Sequence, residues 1–336
     1  MKLPHPRGPL SATLDDVLYA QPGSGARLAE AARLALESAS DVVTDDDVQL
    51  SLYVMYELAY RGFDDVPPDW EWDPDLLHAR ALVEHSFERE LRGRVEVPRG
   101  IAPDRASVAA ALFAMTAPTP GPSVARFVAK RASRRQLEEF LVLRSIYQLK
   151  EADPHTWAIP RLTGRPKAAL VEIQADEYGG GVADRMHCAL FGQTMRGAGL
   201  DADYGTYVDQ IPAVTLAGTN LMSLFGLHRR LRGATAGHLA AFEMTSSLPN
   251  RLYGDGFRRH GFGAATTLYF DEHVEADAVH EQIAGRELAG ELAQQEPELC
   301  GDILFGAAAC LYLDDLVGEH TLSAWAAGVS ALRVGP

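Results

Sequence analysis

Two histidines and an aspartate in the run His273-Val274-Glu275-Ala276-Asp277-Ala278-Val279-His280 have the types and the spacing to do chemistry. On a helix turning about 100° per residue, His273, Asp277 and His280 project at roughly 0°, 40° and 340°. All three therefore leave one narrow stripe. Imidazole and carboxylate on one stripe are donors for a first-row transition metal, provided other helices complete the set. An acidic helix can carry such a triplet as part of a solvated face, and Glu272, Glu275 and Glu281 surround this one.

Two further segments supply donors of the same kind. One is Tyr147-Gln148-Leu149-Lys150-Glu151-Ala152-Asp153-Pro154-His155; the other runs from Glu172 through Asp176-Glu177-Tyr178 and Gly179–Gly181 to Arg185-Met186-His187-Cys188. Taken together, a Glu ending one helix, a Glu-x9-His and a late His-x3-Asp-x2-His resemble the ligand set of the haem-oxygenase-like dimetal oxidases. The 86 residues from His187 to His273 suit that family too. The resemblance covers roughly Arg134 to Leu316, about half the chain, and it implies an all-α, haem-oxygenase-like multi-helix bundle that binds non-haem iron.

On that resemblance Glu151, Glu177, His187, His273, Asp277 and His280 are the expected ligands of two Fe(II) ions, with a carboxylate bridging them. A manganese–iron pair suits the same donors. The implied activity is an O2-dependent oxidation of an amino acid or derivative, drawing on an external reductant: C–H activation leading to desaturation, cleavage or cyclisation, or N-oxygenation.

Spacing bears on this reading. Glu177 and His187 would lie roughly 15 Å apart along an unbroken helix, so either they serve different metals or the helix bends, for which Gly179–Gly181 is the natural place. His273 and His280, about 10.5 Å apart along the axis, suit two neighbouring metals better than one. Arg251 and Arg185 are candidates to grip a substrate carboxylate, because a guanidinium offers two parallel hydrogen bonds. Tyr178 and Tyr269, near the ligand segments, are candidates to line the pocket.

The elements that must position these residues are helical throughout. Ala26–Ala39 and Asp45–Tyr60 show helical periodicity, the second with an aspartate run suited to a helix start. Further expected helices include Gln136–Glu151, Leu170–Gly197, Asp203–Ile211, Leu227–Ser247, Ala264–Gln294 and Pro297–Leu316. Asp- and Pro-rich Arg61–Trp72 and Thr116–Ser123 cannot continue a helix. The second break divides an N-terminal helical layer, residues 1–120, from the core, residues 121–334. The layer is a candidate dimer surface or cap, and a homodimer is expected for the fold. Trp70 and Trp72 are expected to anchor the first break by packing.

Bulk properties narrow the class. A formal charge of −15 over 336 residues argues against nucleic acid and anionic membrane as partners. Cys188, Cys300 and Cys310 form neither a CxxC nor an even set, which fits a reducing cytoplasm. The N-terminus carries no apolar signal-peptide core, and the apolar run Ile303–Leu313 is too short to cross a bilayer. No GxSxG or phosphate-binding glycine loop is present. Three other readings stay open: a zinc-dependent hydrolase using the His/Asp motif to activate water, a cofactorless oxidase of the same fold, and a non-catalytic helical interaction protein.

Overall fold

The computed structural model describes residues 1–333, except for the side chains of Glu275, Asp277 and Ala278. Among the described residues there are helices and no strands. The N-terminal layer comprises α1 (Pro9–Leu18), α2 (Leu28–Ser38), α3 (Asp46–Glu57), α4 (Pro74–Arg94) and α5 (Arg105–Met115). Short polar side chains start several of them. Asp45, Asp73 and Asp104 each accept two backbone N–H groups at the heads of α3, α4 and α5, which satisfies donors a helix start leaves open. In the break before α4, Trp70 is fully buried and donates to the Ala20 carbonyl. Trp72 is exposed, so only one of the two tryptophans is an anchor.

The core follows with α6 (Val124–Lys130), α7 (Arg134–Gln148), the single turn α8 (Asp153–Thr156), α9 (Gly164–Glu177), α10 (His187–Gly197), α11 (Ala213–Leu227), α12 (Arg232–Met244), α13 (Ser247–Arg259) and α14 (Ala264–Gln282). A π-helical stretch, Ile283–Gly290, leads from α14 into α15 (Glu291–Gln295), and α16 (Cys300–Ala326) closes the bundle.

Two expected helices are corrected. Leu170–Gly197 is two helices, because Gly179, Gly180 and Gly181 all take positive φ (64°, 60° and 82°) and break the hydrogen-bond ladder. Asp203–Ile211 is mostly turn, with one 3-10 turn at Val208–Gln210; its few apolar residues do not make a full amphipathic face.

The layer and the core share apolar packing across residue 120. Side chains of α1–α4, such as Leu52, Tyr56 and Phe87, join Val142 and Ile146 of α7 and Leu221 of α11 in one cluster. A second cluster joins α5, α9, α12, the π-helical stretch and α16; a third joins α6, α7, α10, α13 and α14. Helices α12 and α16 approach backbone to backbone. A side chain at Gly237 would strike the Ile303 carbonyl, and one at Gly306 the Ala234 carbonyl. This contact holds α12, with Glu243 near its end, against the bundle.

Candidate metal centre

Glu151 follows α7 in a turn, Glu177 ends α9, His187 begins α10, and His273 lies mid-way along α14. These four are buried, and one donor atom from each lies within 4.8 Å of the others. The glycine break makes this possible. It turns the chain between the end of α9 and the start of α10 so that Glu177 Oε2 and His187 Nδ1, ten residues apart, face each other at 3.0 Å. The rings of His187 and His273 are 4.3 Å apart between centroids, and His273 Nε2 is 3.5 Å from Glu151 Oε1.

A second group adjoins the first: Glu177, Glu243 and His280, all buried and again within 4.8 Å. His280 Nδ1 lies 3.5 Å from Glu243 Oε2, while its Nε2 lies 3.1 Å from Asp176 Oδ2. Glu177 thus belongs to both groups. Its two oxygens can address two cations, and His273 and His280 fall in separate groups, as their spacing on the helix requires. Asp277, the remaining expected ligand, lies outside the described side chains.

Surrounding residues hold the donors. Tyr269 Oη donates to Glu151 at 2.9 and 3.0 Å, to the two carboxylate oxygens. His273 Nδ1 donates to the Tyr269 carbonyl at 2.7 Å, which leaves Nε2 as the lone-pair nitrogen. One residue, Tyr269, therefore orients two donors.

The electrostatics favour positive charge here. Burial pushes against ionisation of Glu177, but His187 above all, with His273 and His280, holds its carboxyl below the usual range. Burial likewise disfavours charge on His280, yet Glu243, Asp176 and Glu177 raise it to about 9. The ion-pair partners of Glu151 and Glu177 among the described residues are histidines, not lysine or arginine. Glu177 Oε2, His187 Nδ1 and His280 Nδ1 are buried without a hydrogen bond of good geometry. Buried donors left this way cost about 1–3 kcal/mol each unless something coordinates them. The donor set, carboxylates and imidazoles only, fits iron or manganese.

A narrow cavity opens among these donors, walled by Tyr147, Leu239, Phe242 and His155. His155 pairs with His238 at 3.0 Å, and burial lowers His155 to about 4, so it is neutral at pH 7.

Several expected pocket residues are elsewhere. Arg185 and Arg251 are exposed. Tyr178 turns its hydroxyl to Asp153 and Thr156, each at 2.9 Å. Tyr269 is at the site, on Glu151. Glu243 was not anticipated. Its signal is that Glu243 is the one carboxylate on α12 (RGATAGHLAAFEM), a helix of mostly small and apolar residues.

Comparison with known proteins gives the family. A family model described as iron-containing redox enzyme matches residues 138–315, just over half the chain, and the chain belongs to that family. Its fold is the all-α, haem-oxygenase-like bundle. A nitrosourea synthase from Streptomyces achromogenes subsp. streptozoticus is 28% identical over 148 residues, which cover 44% of this chain and 31% of that protein. The match thus spans under a third of that relative's length.

Proposed function

We propose that this protein is a non-haem diiron oxidase or oxygenase that uses O2 to oxidise a small molecule, an amino acid or a derivative of one. The observation that carries this is the pair of donor groups sharing Glu177. Iron bound by carboxylate and imidazole donors with open positions supplies the reduction of O2 that makes an unreactive C–H bond or amine oxidisable, with electrons from an external reductant. The relative's name supports nitrogen as the oxidised atom, since a nitrosourea carries an oxidised nitrogen.

The chain's own part is placement. Glu151, Glu177, His187 and His273 would hold one metal; Glu177, Glu243 and His280 the other, with Asp277 a further ligand from the same stripe. Tyr269 fixes Glu151 and His273, and Asp176 orients His280. Leu239 and Phe242 give the cavity an apolar wall.

For the substrate carboxylate, Arg144 is better placed than Arg185 or Arg251. It lies on α7 two turns before Glu151, over the rings of Phe140 and Tyr253 at 4.9 Å each. It donates to Tyr253 Oη at 3.1 Å and forms no ion pair among the described residues. Burial opposes its charge, while Tyr253 and Asp314, then Tyr269 and Glu151, favour it.

The test is anaerobic Fe(II) titration of the metal-free protein, followed by O2 uptake with a panel of amino acids. The expected result is two irons per chain, falling to one in His280→Ala, and amino-acid-dependent O2 consumption in the wild type. Tight zinc uptake with no iron would instead favour the hydrolase.

A further inference from the structure

The turn that presents Glu151 is strained. Ala152, immediately after it, has φ 75° and ψ −29°, a left-handed conformation that a residue with a Cβ seldom adopts. Such strain persists only where the surroundings impose it. From one side, Gln174 Nε2 of α9 donates to the Ala152 carbonyl at 2.9 Å. From the other, the hold comes from the end of α3 and the residues just after it.

Lys150, next to Glu151, donates Nζ to Glu57 Oε1, and neither side chain exposes any surface. Tyr204 Oη donates to the same Glu57 oxygen at 2.8 Å and meets Tyr53 Oη at 3.1 Å. The Lys150 ammonium sits 4.1 Å from the centre of the Tyr60 ring. Arg61 Nη2 donates to the Leu149 carbonyl at 3.3 Å. Glu57, Tyr60 and Arg61 therefore grip two successive residues, Leu149 and Lys150, just before the ligand. All three lie outside residues 138–315, the segment that matches the family.

A buried ion pair contributes little to net stability compared with apolar residues of similar size, so stability alone does not account for this one. We infer that the Glu57–Lys150 pair is a tether by which the N-terminal layer holds the strained Leu149–Ala152 turn, and so positions Glu151 for one of the two metals. Glu57 and Lys150 are positioning residues, since neither is among the donors. The inference rests on reading Glu151 as a metal ligand.

The test uses the full-length, metal-free protein titrated anaerobically with Fe(II) against a competing chelator, with thermal unfolding alongside. The double variant Glu57→Leu/Lys150→Met replaces the pair by apolar side chains and leaves no buried charge alone. The expected result is a roughly ten- to hundredfold loss of affinity for one iron, the usual size for losing a residue that supports a ligand, with the second iron bound as in the wild type. Adding Ala152→Gly, which removes the Cβ strain of the left-handed turn, should recover part of that loss. A merely structural pair would shift unfolding without singling out one iron. Wild-type affinity for both irons in the double variant would overturn the tether. No iron uptake by the wild type would overturn the ligand reading, and the tether with it. Should the double variant fail to fold, Tyr204→Phe removes only one bond to Glu57. It should then show a smaller loss at the same single iron, and unchanged affinity at both would reject the proposal.

Discussion

At the scale of single residues, the centre depends on a few hydrogen bonds that aim donor atoms. Tyr269 serves Glu151 through its hydroxyl and His273 through its carbonyl. In Tyr269→Phe only the hydroxyl goes, so His273 keeps its orientation while Glu151 is freed to turn. Chelator competition should show about tenfold weaker binding of one iron, with the other unaffected. Arg144 belongs to the same scale but acts on substrate. A charge-assisted hydrogen bond contributes roughly 1.5–3 kcal/mol. Arg144→Gln should therefore raise KM for a carboxylate-bearing substrate by about ten- to a hundredfold. Iron stoichiometry should stay at the wild-type value. Steady-state kinetics together with metal analysis would separate the two effects, and a loss of iron would show that Arg144 acts on the centre itself.

At the scale of elements, the decisive feature is the interruption between α9 and α10. Gly179 and Gly180 share nearly the same positive φ, so alanine at either is strained by about 1 kcal/mol. Their surroundings differ. A Cβ on Gly179 would run into the backbone of Arg185 and Met186, whereas one on Gly180 meets open space. Gly180→Ala should accordingly cost about 1 kcal/mol and keep both irons. Gly179→Ala should cost about 2–3 kcal/mol and weaken iron binding, because it pushes the start of α10, and His187 with it, away from Glu177. Chemical denaturation and Fe(II) titration of the pair would check both. Equal behaviour of the two variants would remove the break from the account of the centre.

At the scale of the whole molecule, ionic contacts stitch the N-terminal layer to the core away from the metal centre. Glu88 of α4 accepts from Arg230 at 2.5 and 3.0 Å and from Arg92 at 2.9 Å. Arg92 also reaches Asp302 of α16 at 2.9 Å. Burial alone would raise the Glu88 carboxyl, but Arg230 and Arg92 together bring it below 4.5, its ordinary value. A folded-state value below the unfolded one means the contribution is present above about pH 4.5 and is lost as pH falls through the folded value. Glu88→Gln should be about 1–2 kcal/mol less stable than wild type at pH 7, and the gap should close as pH falls below 4.5 and through the folded-state value. Urea unfolding across that range measures it; a gap independent of pH would mean the loss is one of packing rather than charge. Among the described residues no helix is long and apolar enough to cross a membrane, in line with the short apolar run of α16.

The all-helical class was legible because periodicity and an aspartate run at a helix start are local properties, and the His-x3-Asp-x2-His stripe is likewise a matter of spacing; Glu151, Glu177 and His187 entered only through the family resemblance. Gly179–Gly181 was legible as a place for a bend, since glycine is weak in a helix wherever it stands. Which residues meet is a matter of helix packing. Glu243 joins the centre because the Gly237 and Gly306 contact sets α12 against α16, a packing event with no trace in the spacing of α12. Arg185 and Arg251 are plausible by type and nearness in sequence, yet both are exposed, while Arg144 lies over two aromatic rings. Lys150 pairs with Glu57, 93 residues away. Pairings across such distances depend on how whole helices pack, and single-chain periodicity carries no record of that.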